Sequence, residues 1–212
     1  MARYSTEHKG QTRARILAAS DRLLKERGPD AASIDAVMKS AGLTVGGFYA
    51  HFASKEDLER ETLLYGLDAS MDRLLAALAP FADDRAWLAA LIHRYLHQVD
   101  EHDIASACPL TLLLPEVTRG GATFQKAFSE RTGALLNRVA NRFPAHAGLA
   151  PRDVAIAVFA SCAGAVAFAR TIPAPHARER VLNSTEAMLF AWLGLDGVPA
   201  SSESRVRSPH AA

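Results

Sequence analysis

One run, Ser33–Leu58 (SIDAVMKSAGLTVGGFYAHFASKEDL), constrains the fold more than any other part of this chain. Behind Ser33, a good N-cap, the apolar residues Ile34, Val37, Met38 and Ala41 recur at helical spacing. Gly42 supplies the permissive backbone that a tight turn between crossed helices needs. Thr44 can cap a second helix reaching about Ala50. Its buried side would be Leu43, Phe48 and Phe52, with Thr44, Val45, Gly46, Gly47, Tyr49 and His51 facing outward. Such a pair buries too little by itself. It needs a third wall, which the stripe Ile16, Ala19, Leu23 and Leu24 of a helix over about Thr12–Arg27 provides. The expectation is a three-helix headpiece containing a helix-turn-helix, whose second helix is shaped to enter a major groove.

Two features separate this run from a generic helix pair. Gly46 and Gly47 are adjacent in a helix of about two turns, where each costs roughly 1 kcal/mol relative to alanine. Packing would not select them on an outward face, whereas close approach of the backbone to another surface would. Thr44, Tyr49, His51 and Lys55 are all hydrogen-bond donors at the outer edge, the kind of group that positions phosphates, and Ser33 at the motif's entrance joins them as a candidate. Taken singly, each suits an ordinary surface equally well; the specificity lies in the combination.

The order Gly42-Leu-Thr44-Val-Gly46-Gly47-Phe-Tyr49-Ala-His51-Phe52, followed by Ser54-Lys55-Glu-Asp-Leu58, resembles the DNA-binding signature of the tetracycline-repressor (TetR) family of bacterial transcription regulators. The resemblance is close from about Arg13 to Leu63. Beyond that it rests on length and helix count. Met38 departs from it, standing where the family usually has a small residue. The resemblance implies that Thr44, Tyr49, His51 and Lys55 contact phosphates and that Val45, Gly46 and Gly47 lie nearest the bases. It also implies an all-α fold of about nine helices. The expected divisions are 1–54 as the DNA-binding domain with a basic N-terminal arm, 55–195 as a ligand-binding and dimerisation domain, and 196–212 as a disordered tail.

The remaining chain reads as helices throughout. Ser54 with Asp57 opens a helix of about 25 residues, with no breaker before Pro80 and Gly66 as its weak point. A helix from Asp83 or Asp84 to about Val99 carries Trp87, Leu88, Leu91, Ile92 and Tyr95. His93 and His97 share one face of it, at a spacing able to bind metal, but without an obvious third ligand, so no metal site is assigned. Ile104–Arg119 is apolar and interrupted by Pro109 and Pro115, and Gly120-Gly121 breaks it. A further helix spans about Ala122–Arg142. Two final helices, about 151–171 and 175–193, follow. The first is rich in alanine, serine and glycine, which lets another helix approach closely. In the resembled family the last two long helices pair with their copies in a homodimer.

Composition mainly excludes. Hydrophobic residues make up 49% and charged residues 22%, an ordinary globular balance. Net charge is +1, so the chain as a whole gives no sign of nucleic-acid binding; locally, Arg3, Lys9, Arg13 and Arg15 face a single acid, Glu7, before residue 16, as a basic arm would. MARYSTEHKG has no signal-peptide core and no apolar run reaches a membrane span, so a cytoplasmic protein without membrane contact is expected. Cys108 and Cys162 make neither a disulfide framework nor a metal site. No cofactor motif, nucleophile elbow or carboxylate pair with a base partner is present, and no catalytic residue is assigned.

The leading functional expectation is a repressor released from a pseudo-palindromic DNA operator by a small hydrophobic or aromatic effector. Trp87, Leu91, Tyr95, Cys108, Leu112, Phe124 and Phe128 are the candidate lining residues. A second reading is a regulator that senses electrophiles or oxidants through Cys108, with His97 and His102 as the sequence-near activators. A third is an enzyme with a vestigial helix-turn-helix, using His93, His97, His102 and Cys108.

Overall fold

The structure is a computed structural model and describes residues 2–27, 32–97 and 114–199. These residues form eight α-helices: α1 (Ala2–Arg27), α2 (Ile34–Ser40), α3 (Lys55–Leu78), α4 (Asp84–His97), α5 (Leu114–Arg119), α6 (Gly121–Val139), α7 (Pro151–Arg170) and α8 (Pro175–Leu193). Two short 3-10 segments, Val45–Ala50 and Ala140–Arg142, complete the set, and the described residues contain no strand beyond one isolated bridge between His146 and Leu149. The expected all-α class is the observed one.

Contacts divide the chain into two compact units, Met1–Ser70 with Glu101–Arg131, and Met71–Asp100 with Thr132–Ala212. The core of the first contains Ile16, Leu23, Leu24, Val37, Met38, Phe48, Phe52 and Leu58, so the expected stripe of α1 is the wall that covers the helix-turn-helix. Met38, the departure from the family pattern, is 1% exposed and fills that core. In the second unit α4 is buried along most of its length, from Trp87 through Ile92 and again at Tyr95 and Leu96.

Several boundaries differ from expectation. α1 starts at Ala2, ten residues before the anticipated Thr12, and takes up the segment read as an arm. The packed part still begins near Thr12, since residues 7–11 are exposed. Once a helix is nucleated, each added residue contributes one hydrogen bond, and the sequence before Thr12 contains no proline to stop it. Gly10 has open space around it, with nothing within 4 Å of where a side chain would start. The helix expected over Ala122–Arg142 ends at Val139 and tightens into the 3-10 turn. α3 runs unbroken through Gly66. His102, Asp103, Ile104, Cys108, Pro109, Leu112 and the tail from residue 200 lie outside the described residues.

α7 corrects a further expectation. By length and mean hydropathy (1.6) it could cross a membrane, although half of that stretch is buried in the protein. Its buried residues include Val154, Val158, Phe159, Cys162 and Val166, the pattern of a core helix. Proline occupies the first turn of both α7 and α8, where the missing N–H costs nothing. Gly194, at φ +66°, closes α8 in the left-handed conformation that glycine adopts without strain.

Candidate nucleic-acid interface

The interface is built from the end of α2 onward. Leu43 N–H donates to the Met38 carbonyl (2.9 Å) and Gly42 N–H to that of Lys39 (3.0 Å), the paired bonds of a Schellman motif. Gly42 sits at φ +68°, so the turn requires it. Two arginines of α1 pin this corner: Arg15 donates to the Ala41 carbonyl (2.6 Å) and Arg22 to Ser40 Oγ (2.6 Å). Ser33 caps α2 as expected, its Oγ accepting from Ala36 N–H at 3.2 Å.

The segment after the turn is a 3-10 helix and not the α-helix expected. Gly47 N–H bonds to the Thr44 carbonyl (3.1 Å) and His51 N–H to that of Phe48 (2.9 Å). The adjacent glycines give up α-helical propensity here. Thr44 has the extended backbone of a cap (φ −83°, ψ 146°), but its side chain makes no capping bond, contrary to expectation. Phe48 is 0% exposed and stacks on Phe52 with centroids 5.7 Å apart. That ring pair turns the opposite side of the segment outward. The chain then enters α3 through a reciprocal cap: Ser54 Oγ accepts from Asp57 N–H (3.1 Å), and the Asp57 carboxylate accepts from Ala53 N–H (3.0 Å). Asp57 also pairs with Arg60.

The outward set is gathered on this one surface. Thr44, Val45, Gly46 and Tyr49 are exposed, Tyr49 at 72%, with its ring edge against Phe48 at 5.1 Å. Gly47 and His51 are half-buried. A side chain at Gly46 would meet nothing within 4 Å, and one at Gly47 only the tip of Met38 at 3.8 Å, so internal packing does not call for either glycine. Burial, and then the positive charges of Lys9 and Arg13, lower the His51 pKa. Its Nδ1 is buried without a hydrogen-bond partner among the described residues. Lys55 is half-exposed and pairs with Glu59 at 3.2 Å. Ser33 is exposed at the motif's entrance. Arg13 and Arg15, read from sequence as part of an arm, have internal duties: Arg13 pairs with Glu61 and lies over the Phe52 ring at 4.7 Å, and Arg15 holds Ala41.

The expected effector residues are distributed over the two units. Trp87, Leu91 and Tyr95 are buried in the second unit, where Trp87 packs edge-on to Phe143 (6.0 Å) and Tyr95 to Phe159 (5.9 Å). Phe124 and Phe128 belong to the first unit, and Cys108 and Leu112 lie outside the described residues. A cleft of about 550 Å³ in the first unit is lined by Phe124 together with Leu24, Leu63, Glu56, Glu59 and Arg119. Apolar patterning gives no sign of its charged rim. Cys162 is buried, and burial, and then Glu186, pushes its thiol up to about 12, away from the low-pKa, accessible state of a reactive cysteine. His93 and His97, near which the sequence shows no obvious third ligand, both contact Glu186 of α8.

Residues 16–62 match the family model described as "Bacterial regulatory proteins, tetR family". The HTH-type transcriptional repressor KstR2 of Rhodococcus jostii is 31% identical over 102 residues, 48% of this chain and 50% of that protein. Curated relatives are matched over 28–50% of their own length, so the chain spans half of them or less. Among solved structures, reduced E. coli NemR aligns with a TM-score of 0.68 at 22% identity, covering 89% of this chain and 100% of that one. Bacillus subtilis FadR in complex with stearoyl-CoA aligns with a TM-score of 0.62 at 17% identity, covering 88% and 98%. The fold is therefore that of these regulators.

Proposed function

We propose that this chain, which through residues 16–62 belongs to the tetR family of bacterial regulatory proteins, is a cytoplasmic, dimeric, effector-responsive transcription repressor. The observation that carries the reading is the exposed 3-10 segment, with two glycines that packing does not explain beside a row of donors. Each subunit places Val45, Gly46 and Gly47 against base edges, while Thr44, Tyr49, His51, Lys55 and the Ser33 hydroxyl engage phosphates. Functionally the chain divides into a DNA-binding part, 1–54, and an effector and dimerisation part, 55–195.

The second copy packs against α7 and α8. Ile156, Ala160, Gly164 and Phe168 are exposed on α7 at four-residue spacing, which makes one apolar ridge with a small-residue centre. Phe168 is 61% exposed and Met188 of α8 is 50% exposed. Two-fold pairing buries these side chains and presents two reading segments to half-sites about 34–36 Å apart. A small apolar effector acts by binding the released state more tightly than the DNA-bound one. A neighbour of the same fold is seen with stearoyl-CoA, a ligand that carries a long apolar acyl chain.

Selection of bound sequences from random duplex DNA by the purified protein tests the reading. The expected result is a two-fold-symmetric motif. A folded dimer that enriches no motif overturns it. On the selected site, Lys55→Ala lowers the slope of log affinity against log salt by about 0.9, the share of one phosphate. The exposed Glu59 pair given up by Lys55 is worth only about 0.3–0.5 kcal/mol, so exchanging it for a phosphate costs little. An unchanged slope removes Lys55 from the phosphate set.

A further inference from the structure

His93 and His97 lie one turn apart on α4, their ring centroids 4.8 Å from each other. Across from them stands Glu186 of α8. His93 Nδ1 is 2.9 Å from Glu186 Oε1, and His97 Nε2 is 2.9 Å from Oε2. The three potential ligand atoms fall within 4.8 Å of one another, and all three side chains are partly accessible to solvent. The whole group lies in the second unit, whereas the DNA-facing residues belong to the first.

We infer that His93, His97 and Glu186 form a binding site for a divalent first-row transition metal, of which Zn²⁺ is the representative. Two imidazoles and one carboxylate form a donor set that suits such ions, with a fourth position open to water or a ligand donor atom. Calcium and magnesium are disfavoured, since they take oxygen ligands. The two imidazole nitrogens converge on one carboxylate, so both point toward a common centre. In the metal-free protein each donates an N–H to Glu186. On metal binding that proton shifts to the ring's other nitrogen and the lone pair becomes a ligand, so neutral imidazoles need lose no net proton. Metal–nitrogen and metal–oxygen distances of about 2.0–2.2 Å set tetrahedral ligand atoms roughly 3.3 Å apart, so the two 2.9 Å contacts open by a few tenths of an ångström as the side chains regroup around the ion. The ion then ties α4 to α8.

The test uses the full chain without a histidine tag, stripped with chelator and titrated with Zn²⁺ and with Co²⁺. The expected result is one ion per chain, with tetrahedral or five-coordinate Co²⁺ absorption bands. Zn²⁺ at about 100 times its Kd should also raise Tm by about 5–10 °C. His97→Gln and Glu186→Gln, each shown to be folded by circular dichroism in chelator, should weaken binding at least 100-fold. The proposal is overturned if the wild-type chain binds no ion at micromolar concentration. It is equally overturned if His97→Gln and Glu186→Gln both bind like wild type, which would place the metal on other histidines. The readout needs no operator and does not depend on the regulatory reading.

Discussion

Replacing Phe48 with alanine lowers stability by about 3–5 kcal/mol and abolishes selective DNA binding. Phe48 is fully buried in the headpiece core, stacks on Phe52 and meets Tyr49 edge-on, so truncation leaves a cavity there. Its backbone carbonyl also accepts from His51 and Phe52 N–H, and the ring keeps that short segment in register. Against a total stability of about 5–15 kcal/mol, such a loss is decisive for a small helical headpiece. Urea unfolding followed by circular dichroism measures it. A loss below about 1 kcal/mol would show that the ring does not organise the reading surface.

Gly46→Leu separates binding from stability. It should weaken affinity for the selected operator at least 100-fold, equivalent to about 2.8 kcal/mol. Stability should stay constant or rise by about 0.4–1 kcal/mol. The gain is expected because no neighbour lies within 4 Å of the added side chain and the backbone is not left-handed there, while the unfolded chain loses freedom. Binding is lost because a leucine holds the backbone away from the groove floor. Tight operator binding by Gly46→Leu would refute the close-approach role of the glycine pair. Binding titrations alongside melting curves of the same preparation read both effects.

The headpiece is readable in sequence because its constraints are local. Ser33, Gly42, Ser54 and Asp57 each act within a few residues of their own position, and each does so in the structure. The features that sequence does not reveal depend on distant or degenerate information. Glu186 lies 93 residues from His93 and 89 from His97, and no spacing rule connects α4 to α8 over that length. The 3-10 character of Val45–Ala50 is hidden because bonds to the third and fourth preceding residues predict much the same apolar pattern over six positions. Trp87 and Phe124 share an apolar, aromatic character, a property that does not say which of two cores a residue joins. Arg13 reads as free charge because sequence gives no sign of the Phe52 ring beneath it.

The tighter winding of the reading segment sets its scale along a duplex. Six residues at about 2.0 Å rise extend about 12 Å, against about 9 Å as an α-helix. Base pairs advance about 3.4 Å each along the axis. In the proposed complex Val45–Ala50 therefore lies alongside about three and a half base pairs, whereas an α-helical segment of the same length would span fewer than three. In that complex, the stretched winding would lengthen the contact in each half-site by most of one base pair without adding a residue.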